Sequence, residues 1–101
     1  MDKVVSGFDW DRGNREKCRK HGVSVGEIED LFSRPLAIHP DASHSVAERR
    51  LMAIGRGKTG RYIFLVFTFR KRAGKTYIRP ISARYMHKKE IKHYEKETAA
   101  P

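Results

Sequence analysis

The sequence predicts an α+β domain built on one antiparallel sheet, and three observations carry that expectation. Residues 62–69 form an apolar run with no charged residue, which reads as a central strand apolar on both faces. Two short segments with helix start and stop signals precede it, and a third helical stretch closes the chain. A Gly-rich turn at 55–60 and a basic turn at 70–74 divide the central run from its neighbours, as in a meander of antiparallel strands. A length of 101 residues suits a single domain over 1–101.

Each element has its own reason. Residues 7–10 read as a short opening strand. Asp11 is placed to cap a first helix over roughly 12–20, with Gly22 as its stop. This helix is poorly amphipathic, and Cys18 is its only clear apolar residue. Ser24 and Glu27 have capping-box spacing, and Val25, Ile28, Leu31 and Phe32 follow at helical intervals. Pro35 requires that second helix to end by Arg34. Residues 36–38 and 48–54 have strand character, with a loop at 40–43. Residues 76–83 form a further strand interrupted by Pro80, which lacks a ladder donor and is a candidate bulge position. Residues 87–97 close the chain as a helix with a narrow stripe of Ile91 and Tyr94.

The formal net charge is +10, from 22 Lys and Arg against 12 Asp and Glu. The excess lies entirely in residues 51–101, because residues 1–50 hold nine charges of each sign. Segregation of this kind attracts and steers a polyanion, with binding that weakens steeply as salt rises. The single cysteine excludes an internal disulfide and fits a reducing compartment. Neither a leader nor a membrane-length apolar run is present in the sequence, so a cytoplasmic location away from membranes is expected.

The five histidines and Cys18 show no metal-ligand spacing, so no metal or other cofactor is expected. RNA cleavage can proceed without metal, because the substrate's own 2′-hydroxyl can attack the adjacent phosphate. The protein must then supply cations, a proton acceptor and a proton donor. Arg50, Arg79 and Arg84 are candidate phosphate and transition-state cations, since a guanidinium donates in pairs. His87 is the candidate acid–base group, with His44 and Glu48 as an alternative site. Arg61, Tyr85, Lys88 and Lys89 are candidate RNA contacts, the aromatic ring by stacking. Arg79 and Arg84 are five apart, so a regular strand sends them to opposite faces; either Pro80 marks a bulge that corrects this, or Arg84 lies past the strand end, or only one of the two faces substrate. A non-catalytic basic module that binds nucleic acid or an acidic partner accounts for the same charges.

The segments Phe8-Asp9-Trp10-Asp11, Lys20-His21-Gly22-Val23-Ser24, Asp41 to Arg50, Ile54-Gly55 and Ile81-Ser82-Ala83-Arg84 resemble the BrnT toxin family in order and spacing. The resemblance extends over about 8–97. It implies a RelE-like fold and a ribonuclease toxin of a type II toxin–antitoxin module. It also implies neutralisation by a BrnA-type ribbon-helix-helix antitoxin in a hetero-oligomer, with operator DNA reached only through that antitoxin. Pro80 departs from the β-branched residue that many relatives carry in the last strand.

Overall fold

The computed structural model describes residues 4–41 and 49–98. The elements are β1 (Gly7–Phe8), α1 (Arg12–Arg19), α2 (Val25–Leu31), β2 (Ala37–Pro40), β3 (Leu51–Arg56), β4 (Tyr62–Arg72), β5 (Lys75–Tyr85) and α3 (Lys88–Thr98). They make one five-stranded sheet in the order β1-β5-β4-β3-β2. The α+β class holds, and the apolar β4 is the middle strand. Strands β2 to β5 form the expected antiparallel meander. The correction is at the edge, where β1 pairs with β5 in parallel, Gly7 beside Tyr77 and Phe8 beside Ile78. No tight turn joins these two strands, so chain connection does not impose an antiparallel sense.

Alternation along β4 divides the sheet into two faces. Ile63, Leu65 and Phe67 are fully buried on one face with Cys18, Val23, Ile28, Leu31, Ile78 and Ala83. Helices α1 and α2 cover this inner face, and Phe32 packs edge-on against both Phe8 and Phe67. The outer face carries Tyr62, Phe64, Val66 and Thr68. Helix α3 covers only one end of it, through a Tyr94–Tyr62 ring contact and a 3.3 Å hydrogen bond from the Tyr62 hydroxyl to Glu95.

Local chemistry explains the ends. Asp11 and Ser24 cap α1 and α2 in reciprocal capping boxes with Asn14 and Glu27. Gly22 stops α1 at φ 85°. Helix α2 closes at Leu31, before Pro35 demands it, in a turn where Ser33 and Arg34 donate to Asp30 and Leu31. Gly55 lies inside β3, not in a turn, because α2 and the chain entering β2 press on it. A Cβ there would collide with Leu36 and lie 3.3 Å from Leu31. Strand β4 runs through the expected basic turn to Arg72, and the hairpin turns on Ala73 and Gly74 alone, at φ 52° and 77°. Positive φ at both positions is the twist-matched two-residue hairpin geometry.

Strand β5 contains the feature that positions the site. Val66 pairs with Ser82 and Phe67 with Pro80, so Ile81 is an extra residue. Pro80 at the bulge is fully buried against the core.

Candidate functional site: a cationic cleft where α1 meets β5

The bulge sets the direction of the arginines. Arg79 and Arg84 pair with Thr68 and Phe64, which are four apart on β4 and therefore share the outer face. The two guanidiniums nevertheless do not meet. Four strand positions separate them by roughly 13 Å along the sheet, and each is engaged by carboxylates of its own.

Arg79 belongs to the α1 end. Its Nη2 donates to Asp11 Oδ2 at 2.8 Å, and its Nη1 lies 3.7 Å from Asp9 Oδ2. Asp9 is almost fully buried and also receives Arg72 at 3.1 Å, whereas the side chain of Asp11 is 54% exposed. Asn14 fixes this corner. It is buried, and its Nδ2 donates to the carbonyls of Asp9 at 3.0 Å and Pro80 at 2.8 Å. Its Oδ1 accepts from the Asp11 amide at 2.7 Å. Asn14 thus anchors helix α1 to β5, and the helix buries only this amide and Cys18, which is why it carries so few apolar residues while its charged residues gather on the other side.

Asp11 and Arg79 stand in the wall of a cleft of about 590 Å³, also lined by Lys17, Arg50, Arg70 and Ile81. With Arg12, the described residues of the lining hold five cationic side chains against one carboxylate. The cleft therefore favours an anion. The Asn14 amide and the Arg79 guanidinium hold the Asp11 carboxyl below its ordinary range.

A second group lies where α3 crosses the outer face. Arg84 forms a paired fork to Glu90, at 2.7 and 2.8 Å, and sits over the Phe64 ring at 4.9 Å. Glu90 also accepts from the His87 amide at 2.9 Å. The Arg84 fork and that amide hold the Glu90 carboxyl down at about 2. His87, Lys88 and Lys89 are exposed beside it.

Arg61 and Tyr85 fall on the other face. The Tyr85 hydroxyl donates to Glu27 of α2 at 2.7 Å, and Arg61 lies 3.6 Å from the ring centroid. Hydrogen bonding to Glu27 raises the Tyr85 phenol above its usual value.

The structure therefore brings Arg50 and Arg79 together. It puts Arg84, His87, Lys88 and Lys89 in a neighbouring group, and separates Arg61 and Tyr85 from both. His44 and Glu48 lie outside the described residues. Sequence reasoning missed Asp9, Asn14, Lys17, Arg70 and Glu90, and took Asp11 only as a cap. The Asp11–Asn14 and His87–Glu90 pairs have capping-box spacing, which was the available signal. Nothing local marks Asp9.

Burial pushes the Cys18 thiol up to about 11, consistent with a packing role. Among the described residues, no three His, Cys, Asp or Glu side chains gather as a ligand set, and no helix is long and apolar enough to cross a membrane.

No curated protein gives a significant match to the chain. The family profile described as ribonuclease toxin, BrnT, of type II toxin–antitoxin system matches residues 10–90, a span that includes every residue lining the cleft. The chain accordingly belongs to the BrnT ribonuclease toxins of type II toxin–antitoxin systems.

Proposed function

We propose that this chain is an RNA endonuclease that works in the cytoplasm without metal and cleaves through attack by the substrate's own 2′-hydroxyl. The observation that carries this is the cleft at the α1–β5 corner, where the described residues set five cations around one carboxylate. A phosphodiester entering it meets Arg79 and Arg50, whose guanidiniums stabilise the charge that grows on phosphorus-bound oxygens during attack. Arg79 is held on two sides by Asp9 and Asp11, so its direction is set before substrate arrives. Pre-set donors of this kind do not have to reorganise during the reaction. Arg84, His87, Lys88 and Lys89 lie farther along the same face, where they take neighbouring phosphates of the same strand. Arg61 and Tyr85, on the inner side, tie β5 to α2.

The partner is a BrnA-type ribbon-helix-helix antitoxin that covers the outer face in a hetero-oligomer and supplies contact with operator DNA. Half-buried Met52, Ile54, Phe64 and Val66 lie on that face between the two cationic groups. A partner with apolar side chains flanked by carboxylates would bury the first and neutralise the second.

A non-catalytic module is favoured by one observation, that Arg79 and Arg84 both already have carboxylate partners. Incubating the purified protein with short single-stranded RNA in EDTA separates the readings. Cleavage that leaves 2′,3′-cyclic phosphate ends is expected. RNA that is bound but intact supports the module, and cleavage only on adding a divalent cation refutes metal independence.

A further inference from the structure

We propose that Asp11 is the proton acceptor for the 2′-hydroxyl, so that a carboxylate, not a histidine, is the base of cleavage. This inference rests on the reading of the α1–β5 cleft as the place where RNA is cut. Among the described residues that line the cleft, Asp11 is the one carboxylate, and none is histidine, cysteine or tyrosine. His87 stands with Arg84 and Glu90 at the other end of the outer face.

The geometry divides labour between two acids. Asp9 is 7% exposed and bound by both Arg72 and Arg79, so it anchors the guanidinium and does not reach substrate. Asp11 is open to the cleft. Its Oδ1 accepts the Asn14 amide at 3.0 Å and its Oδ2 accepts Arg79 at 2.8 Å. The Gly13 amide also donates to this carboxylate, and Oδ2, which accepts Arg79, retains a second lone pair for the incoming proton. The same Arg79 that orients Asp11 reaches toward the phosphate, which places the base and the transition-state cation side by side.

Cations predominate among the charged groups around Asp11. Arg79 faces it from β5, Arg12 and Lys17 from α1, and Arg50 and Arg70 line the cleft across from it. Among the described residues, Asp9 behind Arg79 and Glu16, paired with Arg12, have the same sign. Asp11 is therefore ionised throughout the neutral and mildly acid range, and its low basicity is offset by being always in the competent form. In the step, the 2′-hydroxyl proton passes to Asp11 as the 2′-oxygen bonds to phosphorus. The bond from phosphorus to the 5′-oxygen breaks, and that oxygen takes the electron pair and a proton from water. A 2′,3′-cyclic phosphate and a 5′-hydroxyl result, and Asp11 returns its proton to the resulting hydroxide.

A purely structural Asp11 would cap α1 and hold Arg79. Asparagine keeps the cap but cannot accept the proton. The test is single-turnover cleavage of a short single-stranded RNA at saturating protein, across roughly pH 5 to 8, a range that brackets histidine titration. For the parent, a rate with no histidine-like acid limb is expected. For Asp11→Asn, a loss of about a hundredfold or more is expected with the fold intact. The remaining rate should rise with hydroxide, as solvent base takes over, a change of slope that a positioning role would not produce. A parent acid limb near the histidine range that persists in Asp11→Asn overturns the inference. So does an Asp11→Asn rate within about threefold of the parent, far short of what general-base loss costs. A parent that cleaves no RNA overturns the cleavage reading itself, and the inference falls with it.

Discussion

Replacing Asn14 with alanine should unlatch the corner that forms the cleft. Asn14 is 5% exposed, and its side chain makes three hydrogen bonds, to the Asp9 and Pro80 carbonyls and from the Asp11 amide. Each such bond contributes roughly 0.5–1.5 kcal/mol net, and a buried partner left unsatisfied costs at least as much. The expected loss is therefore about 2–4 kcal/mol. A chain of 101 residues has a total stability of only about 5–15 kcal/mol, so the variant loses a large share of it. At roughly 4–8 °C per kcal/mol, the melting temperature should fall by about 8–32 °C. Urea unfolding followed by the fluorescence of Trp10, the only tryptophan, measures this directly. Loss of the Oδ1 acceptor also releases the Asp11 backbone, so cleavage should fall further than stability alone explains. A change below about 0.5 kcal/mol, the range of ordinary surface substitutions, would refute the account of how α1 is held.

Other substitutions probe other parts of the structure. Ser24→Ala removes the α2 cap and should cost about 1 kcal/mol, with cleavage at saturating RNA unchanged. Ala73 sits at φ 52° in the hairpin, where a side chain costs about 1–2 kcal/mol, so Ala73→Gly should raise the urea midpoint despite glycine's entropy. The Glu90 carboxyl is depressed from 4.5 to about 2 in the fold. A depressed carboxylate stabilises the native state above its unfolded value, so its contribution should disappear as pH falls from about 4.5 toward about 2. Carbon-detected NMR titration of Glu90 reads this, and Arg84→Ala should return the midpoint toward the ordinary glutamate range.

Strong local signals made most of the fold legible. The central position of β4 follows from its two apolar faces, and both helix starts follow from side chains that bond their own backbone. The bulge was only partly legible: Pro80 lacks a ladder donor, but the spacing of Arg79 and Arg84 was equally met by a strand that ends before Arg84 or by one arginine facing away. The parallel β1–β5 pairing was not legible, because it joins residues about seventy apart with no turn between them to fix direction. Ala73 carries no mark of a left-handed turn, so β4 was read too short. The charge excess located the basic half of the chain but not the cleft. Two of the cleft's key members, Asp11 and Lys17, come from the electrically balanced half and reach β5 only through tertiary packing of α1. Arg61 and Tyr85 show the converse, basic-half residues drawn to the inner side by a carboxylate on α2.

On the proposed function, RNA is cut at the α1–β5 cleft and not at the α3 end of the same face. Single-turnover cleavage by Arg79→Ala and Arg84→Ala, each at saturating protein and with folding checked by circular dichroism, tests it most directly. Arg79→Ala should lose on the order of a hundredfold or more in rate, the usual effect of removing one transition-state donor. Arg84→Ala should chiefly weaken RNA binding and approach the parental rate at saturation. Parental cleavage by Arg79→Ala together with a large loss for Arg84→Ala would contradict the account and place the chemistry beside Glu90 and His87.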